Sequence, residues 1–383
     1  MRKLGAAIIG TGNIAPQHVA GYLAHSERVE IKVLCDIFGD KAEKFAAVHG
    51  LEDCEIVTDY HELLGRDDID LVSLCLPPSV HAEAAIDFMN AGKDVICEKP
   101  MAASLEETDR MNETAQRTGR ILAVISQNRY RNNLYKVKKI LDTGMLGRIL
   151  FVKVNSFWYR GTNYYTLWWR GTWDKEGGGC TLNHAVHQID ILNYLMGKPL
   201  SITSVMANLA HDNAEIEDIS LSLLRYPNAL AEVNVTLCNH DERQEFEIVT
   251  EKATITVPWS VHAVKQLPNG FFEANPEMEK QLQDMYDSIP DLEMEGHPAE
   301  IGNVLKAIAG EEELLIDGKA GKDALDVIYG IYESAVERRE VTLPIPADSP
   351  FYTKEGMLGK VPVYHEKSVS VDNIDGDITL GRN

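Results

Sequence analysis

The chain has 383 residues, 44% hydrophobic and 25% charged, an ordinary globular composition with room for two separately cored domains. Its 59 acidic against 37 basic residues leave a formal charge of -22. That balance speaks against nucleic acid as a partner, which is bound by neutralising phosphates with Lys and Arg, and against anionic membrane surfaces.

Six cysteines without a C-x-x-C pair disfavour a zinc ribbon or a disulfide framework. Cys35, Cys75 and Cys97 fall in apolar runs, where a thiol acts as a small hydrophobe. The chain passes from Met1 almost directly into the apolar run Ala6–Ile9, without signal-peptide regions or a run long enough to span a bilayer. A cytoplasmic protein with no membrane partner is expected.

Apolar runs at Ala6–Ile9, Ile31–Cys35, Leu71–Leu76, Asp94–Cys97 and Ile121–Ile125 alternate with amphipathic stretches at Gln17–Leu23, Lys41–His49, His81–Asn90 and Leu105–Thr118. That rhythm predicts successive βαβ units. Strands that are apolar throughout predict a parallel sheet covered on both faces. After Gln127 the rhythm changes: a helix at Leu134–Thr143, a strand at Ile149–Trp158, an aromatic loop at Tyr159–Trp173 and, behind a triple glycine, a helix at Leu182–Met196. Strand-like runs follow without regular helices between them, at Ile202–Asn208, Ile219–Arg225, Ala229–Val235, Gln244–Thr250 and Ala253–Val257. Meander connections of that kind predict an antiparallel or mixed sheet. Helices at Glu300–Ala309 and Lys322–Arg338 close the pattern, and the segment from Pro350 reads as an extended or partly disordered tail. The expected fold is α/β, with a Rossmann nucleotide-binding domain over 1–126, a second α/β domain over 127–349 and a tail over 350–383.

The first motif is Ile8-Ile9-Gly10-Thr11-Gly12-Asn13-Ile14-Ala15, a G-x-G-x-x-G/A pattern between a strand and a helix. Gly10 permits the tight turn, Gly12 lets the backbone approach a pyrophosphate, and Ala15 lets helix and strand pack closely. The helix N-terminus then offers N–H groups and positive dipole to the phosphates. Asp36 ends the second strand, where a carboxylate accepts hydrogen bonds from the adenosine ribose hydroxyls. It also repels a 2′-phosphate, and Ile37-Phe38-Gly39 offers no Arg to bind one, so NAD is expected rather than NADP. Glu98-Lys99-Pro100 follows the strand Asp94–Cys97, and a lysine there points into the crevice where this architecture holds its ligand.

These motifs, together with Leu76-Pro77-Pro78…His81, Gly177-Gly178-Gly179…Asn183…His187…Asp190 and Ile316-Asp317-Gly318…Val341-Thr342-Leu343-Pro344, resemble the Gfo/Idh/MocA family over residues 4–345. The family comprises relatives of glucose–fructose oxidoreductase and inositol dehydrogenase. The resemblance implies a C-terminal α/β domain whose large, mostly antiparallel open sheet often mediates homodimers or homotetramers. It also implies an NAD-dependent oxidoreductase taking hydride from a secondary hydroxyl of a sugar, sugar derivative or cyclic polyol. It maps the catalytic lysine to Lys99 and the catalytic histidine to His187. The chemistry is consistent: a histidine, with an ordinary pKa of ~6.5, accepts a hydroxyl proton near neutrality, and a lysine stabilises the developing alkoxide. Asn183 lies at i-4 from His187 on the same expected helix, so both face one side. Many family members carry Asp there; Asn keeps the hydrogen bonding but loses the charge that would stabilise a protonated histidine.

Cofactor contacts are expected from Gly10, Thr11, Gly12, Asn13, Ile14, Asp36, Leu76, Pro77, Pro78, His81, Glu98, Lys99 and Gln127, and from the Trp169-Arg170 pair that the family places before the triple glycine. Four of the five tryptophans lie between 158 and 173, and aromatic rings beside polar forks suit the C–H faces and hydroxyls of a sugar. Substrate contacts are expected from Lys99, Arg129, Tyr159, Trp169, Asn183 and His187. Arg129 belongs to the segment Gln127-Asn128-Arg129-Tyr130, which lines the cleft in relatives, and His297 is a weaker cleft residue. His184 and His187 lack companions for a ligand set, so no metal is expected, and no G-x-S-x-G elbow marks a serine hydrolase. Two alternatives stand beside the dehydrogenase. One is glycoside cleavage by transient C3 oxidation and elimination with bound NAD. The other is a non-catalytic NAD-binding regulatory protein.

Overall fold

The computed structural model describes residues 2–371. They form two compact units, one of residues 2–130 with 293–325, the other of residues 131–292 with 326–371. The first unit opens with β1 (Leu4–Ile9), α1 (Ala15–Ala24), β2 (Val29–Cys35), α2 (Gly39–His49), β3 (Glu55–Val57), β4 (Leu71–Leu74), α3 (Pro78–Asn90), β5 (Asp94–Cys97), α4 (Leu105–Thr118) and β6 (Leu122–Val124). The strand order is β3-β2-β1-β4-β5-β6 and each neighbouring pair is parallel. The order reverses between β1 and β4, and at such a switch point a crevice opens outside the carboxyl ends of the strands. β4 and β5 are buried along their whole length, Ser73 and Asp94 included.

The 3-10 turn Gln127–Tyr130 belongs to the first unit, and so does the segment Glu293–Leu325. Within that segment α9 (Gly296–Ile308) lays Ile301, Val304 and Leu305 into the core formed by Ala6, Ile8, Val19 and Tyr22. Burying three such side chains is worth roughly 1.5–3 kcal/mol each. The approach of α1 to α9 is close: a Cβ on Gly21 would lie 2.4 Å from Ile301 Cδ1.

The second unit begins with α5 (Asn132–Asp142), β7 (Ile149–Tyr159), α6 (Cys180–Asn183), α7 (Val186–Met196), β8 (Ser201–Ala207), β9 (Ile219–Arg225), β10 (Leu230–Thr236), β11 (Cys238–Thr250), β12 (Thr254–Val257) and β13 (Ser260–His262). A small hairpin, β14 (Val264–Gln266) and β15 (Phe272–Ala274), leads to α8 (Pro276–Ser288). The chain returns through α10 (Gly318–Glu337), whose residues from 326 belong here, to β16 (Val341–Thr342) and α11 (Lys354–Leu358). The large sheet runs β13-β12-β11-β7-β10-β9-β8-β16. Its neighbours are antiparallel except β7 and β10, which run parallel, so the sheet is mixed and mostly antiparallel. Alternation sorts its faces: Ser204 and Ser222 point inward and hydrogen-bond each other at 2.9 Å, while Val205, Leu221 and Leu223 point out.

Residues 350–371 of the expected tail are packed onto the second unit. A short 3-10 turn (Pro350–Tyr352) and α11 are followed by an extended stretch in which Asn213 binds the backbone of Ser368 and Val369. Val371 bonds the aromatic loop at Thr166 and Trp168. The rest of that tail lies outside the described residues. Among the described residues no helix is long and apolar enough to cross a membrane.

Candidate functional site

In the first unit the turn after β1 separates two kinds of glycine. Gly10 has φ +95, and a Cβ there would lie 2.4 Å from the Cys75 carbonyl oxygen, so the fold itself requires glycine. A Cβ on Gly12 would meet no protein atom within 4 Å. Packing does not demand glycine at position 12, whereas close approach of a ligand does. No side chain caps the N-terminus of α1, and Pro16 stands in its first turn, so its leading N–H groups suit an anion. Asn13 beside it is exposed, and Thr11 is buried.

Asp36 ties this turn to the end of β2. Its Oδ2 accepts the Thr11 N–H (2.9 Å) and the Thr11 hydroxyl (2.7 Å), and Lys41 Nζ donates to the same oxygen at 2.7 Å. Oδ1 accepts the Phe38 N–H at 3.1 Å. Burial raises the pKa of this carboxyl, but the bonds from Lys41, Thr11 and Phe38 outweigh it and hold it below the ordinary value. It is therefore anionic at neutrality.

Glu98, after β5, is buried and anchors its own loop. Its Oε1 accepts from His18 Nε2 (3.0 Å) and His297 Nε2 (3.2 Å), and its Oε2 accepts the Lys99 N–H (3.1 Å). Desolvation pushes its pKa up, yet the two imidazoles hold it well below the ordinary glutamate value. His18, pushed down by burial, is neutral. Its Nδ1 lies 2.9 Å from Ser73 Oγ, which lies 2.6 Å from the Tyr22 hydroxyl. One assignment satisfies every group: Tyr22 donates to Ser73, Ser73 to His18 Nδ1, and both imidazole Nε2–H groups to Glu98. Lys99 is half-buried beside this network.

His81 is fully buried, with Nδ1 3.0 Å from the Pro100 carbonyl and Nε2 2.8 Å from that of Leu76. Glu98 and His81 both direct side-chain polar atoms to protein partners and shape the loops that carry Lys99, Leu76, Pro77 and Pro78. Gln127 differs. Its Oε1 is buried and meets no donor among the described residues, an acceptor suited to a ligand N–H or hydroxyl. Arg129 is buried in the same turn. The open side of Gly12, the uncapped helix and this acceptor fit a bound dinucleotide.

The second unit holds the other motif. The expected helix Leu182–Met196 is broken: α6 ends at Asn183 and α7 begins at Val186. The Ala185 N–H reaches back to the Cys180 carbonyl rather than to Thr181, which interrupts the helical ladder. Asn183 and His187 therefore do not share one continuous helix. Asn183 Nδ2 donates to the Gly178 carbonyl at 2.7 Å, tying its side chain to the triple glycine, and His187 is half-buried in the first turn of α7. The glycines are required by packing. A Cβ on Gly178, at φ +159, would lie 2.2 Å from the Tyr332 hydroxyl, and one on Gly179 would lie 1.9 Å from the Glu217 carbonyl oxygen. The Glu217 carboxylate accepts the N–H of Gly179 (3.0 Å) and of Thr181 (3.0 Å) and the Tyr332 hydroxyl (3.1 Å). Burial pushes its pKa up to about 7.

In the aromatic loop Arg170 lies 4.1 Å from the Tyr164 ring and 4.2 Å from the Trp169 ring, and its Nη1 pairs with Glu176 at 2.8 Å. Its charge is thus balanced within the loop. Tyr159 is exposed and stacks on His240. Trp173, by contrast, is a core residue, packed edge-on to Tyr332.

Two clusters of metal-binding residue types were missed in sequence because their members lie far apart in the chain: His18 with Glu98 and His297, and His211 with Asp218 and Cys238. Protons account for both. The first is the network above. In the second, His211 donates from Nδ1 to Asp218 (2.9 Å) and from Nε2 to the Arg160 carbonyl (2.9 Å). That double donation favours an imidazolium, which cannot ligate a metal. The sequence offered one signal, His297 as a weaker cleft residue; His18 lies 80 positions before Glu98.

Comparison with known proteins agrees with this geometry. Residues 4–126 match the model of an oxidoreductase family with an NAD-binding Rossmann fold, and residues 134–256 match the Gfo/Idh/MocA C-terminal domain. The first unit is thus an NAD-binding Rossmann domain of the oxidoreductase class. The chain belongs to the Gfo/Idh/MocA family. A structure of the WlbA dehydrogenase from Bordetella pertussis, in complex with NADH and UDP-GlcNAcA, is 29% identical with a TM-score of 0.77, covering 90% of this chain and 99% of that one. The 2,7-anhydro-N-acetylneuraminate hydratase of Mediterraneibacter gnavus is 28% identical over 57% of this chain. Inositol 2-dehydrogenase of Salmonella paratyphi B is 26% identical over 53%. The matched stretches span 56% and 57% of those two relatives' length.

Proposed function

We propose that the protein is an NAD-dependent dehydrogenase that oxidises a secondary hydroxyl of a sugar, sugar derivative or cyclic polyol. The observation that carries this reading is Lys99 at the end of β5, its backbone N–H fixed by the ionised Glu98 in an NAD-binding unit. The relatives' names point to the substrate class: one dehydrogenase is held with a nucleotide sugar acid, another acts on inositol.

Bound NAD supplies the hydride acceptor. In this reading Lys99 hydrogen-bonds the substrate oxygen and stabilises its developing negative charge, and His187 takes the hydroxyl proton. Asn183 holds the entry to the helix that carries His187 through its bond to Gly178. Arg129, Tyr159 and Trp169 bind sugar, and the Trp169-Arg170 pair also meets the cofactor. Lys99 and His187 belong to different units, so their joint action is the part that mutation tests. NADH formation across a panel of sugars, sugar acids, inositols and nucleotide sugars is the assay. His187→Ala and Lys99→Ala should each lower turnover by about 100-fold or more, with NAD affinity within about threefold. A His187→Ala variant that keeps most of its turnover overturns the role.

The hydratase relative favours a second reading, in which NAD is reduced and reoxidised in place during elimination at a sugar. Product without net NADH supports it. NAD binding without turnover of any panel member supports a regulatory protein instead. A cytoplasmic location and a homodimer or homotetramer complete the proposal. Val205 faces Leu221 across β8 and β9, with Leu223 beside them, an apolar patch on the outer face of the sheet that suits a second copy. Light scattering that gives a monomer mass would remove the assembly from the reading.

A further inference from the structure

We infer that Lys41 sets how strongly this chain discriminates between NAD and NADP, by holding a cation against the carboxylate that otherwise repels a 2′-phosphate. The sequence alone points to strict NAD use, because Asp36 is acidic and no Arg follows in Ile37-Phe38-Gly39. Folding changes that balance. Lys41 stands in the first turn of α2, two residues beyond that window, and its ammonium lies 2.7 Å from Asp36 Oδ2.

Two consequences follow from the donor inventory of Asp36. An ionised carboxylate has about two lone-pair sites on each oxygen; the Thr11 N–H, the Thr11 hydroxyl and Lys41 crowd Oδ2, while the Phe38 N–H alone addresses Oδ1. A ribose hydroxyl can join Phe38 at Oδ1 or displace a donor at Oδ2, where the exposed Lys41 is the one most easily displaced, since Thr11 and Asp36 are buried. The carboxylate's repulsion of a phosphate is also largely cancelled at this range by the paired ammonium. Lys41 is half in solvent, on a flexible four-carbon stem, so the same ammonium is able to turn onto a phosphate. The N-terminus of α2 adds positive potential, while Asp40 in its first turn opposes it. The balance leaves NAD preferred, by a margin that Lys41 controls.

The inference concerns cofactor binding alone, so it stands or falls separately from the dehydrogenase reading. Dissociation constants for NAD and NADP are measured on the wild type, Lys41→Ala, Lys41→Glu and Lys41→Arg at one fixed ionic strength. Thermal melts confirm folding, which an exposed side chain on a helix should not disturb. The ratio of the NADP to the NAD constant should rise about tenfold in Lys41→Ala and further in Lys41→Glu, and stay within about threefold in Lys41→Arg. An unchanged ratio in Lys41→Ala overturns the inference. So does a parallel loss of both affinities, because Lys41 would then only be ordering Asp36.

Discussion

The two units hold their motifs with buried glutamates whose pKa values move in opposite directions. In the first, Glu98 meets two imidazole N–H groups and a backbone N–H, and stays ionised far below the ordinary range although it is out of water. In the second, Glu217 meets two backbone N–H groups and a phenol, and burial wins, raising its pKa to about 7. Burial therefore does not decide ionisation; the donors do. Imidazoles polarise toward the anion and share its charge, whereas backbone dipoles and a hydroxyl offset only part of the desolvation.

The largest way to break this contrast is Glu98→Ala, which leaves the Nε2–H groups of His18 and His297 without their acceptor in a buried site. A stability loss of about 3–5 kcal/mol is expected from urea unfolding at pH 7; a loss below about 1 kcal/mol would mean the network is slack. Next is the pH dependence of Glu217. Its folded pKa exceeds its unfolded one, so the folded state binds more protons between about 4.5 and about 7. Its contribution is fully present below 4.5 and is lost as pH rises through 7, by roughly 3 kcal/mol in all. Glu98 runs the other way: its stabilisation is present above the ordinary glutamate pKa and disappears only in strong acid. Glu217→Gln, which keeps an acceptor for one of the two N–H groups and cannot titrate, should flatten the slope between pH 4.5 and 7; an unaltered slope would assign it to another group.

A third test separates packing glycines from ligand glycines. Gly178→Ala should cost about 2 kcal/mol or more, because its Cβ collides with Tyr332. Gly12→Ala should leave the unfolding midpoint within about 0.5 kcal/mol of wild type, yet weaken NAD binding about tenfold. Loss of stability in Gly12→Ala would remove the distinction. The smallest effect belongs to His211, whose pKa Asp218 and the Arg160 carbonyl raise against the pull of burial. Its contribution of about 1 kcal/mol is present below 6.5 and lost as pH rises through the raised value, and His211→Asn should abolish that dependence in the same titration.

Much of this was legible in the chain. β5 and β9 have the bounds that their apolar patterns predict, because a buried strand and a half-buried one each write an unambiguous period. β3 was invisible, since Glu55-Ile56-Val57 is too short for any period. The break between α6 and α7 was hidden because apolar residues continue through it, and only the hydrogen-bond ladder reveals it. Local motifs bring Gly10, Asp36 and Lys99 into view as site residues, but the Glu98 network joins residues 80 and 199 positions apart, and no window on the sequence brings those together. The cation at Lys41 lies near Asp36 in sequence, but only the start of α2 brings its ammonium back to the carboxylate.

The membership of α9 in the first unit has a consequence for how the molecule is made. A ribosome delivers the six-strand sheet and its first four helices long before it delivers residues 296–308, and the whole of α5 to α8 emerges in between. Until then the patch that Ile301, Val304 and Leu305 will cover lies bare, and His297 is absent from Glu98. A fragment stopped at Tyr130 would carry the complete nucleotide fingerprint and still present an uncovered apolar flank. In this chain the nucleotide-binding unit is the first to start folding and cannot be the first to finish.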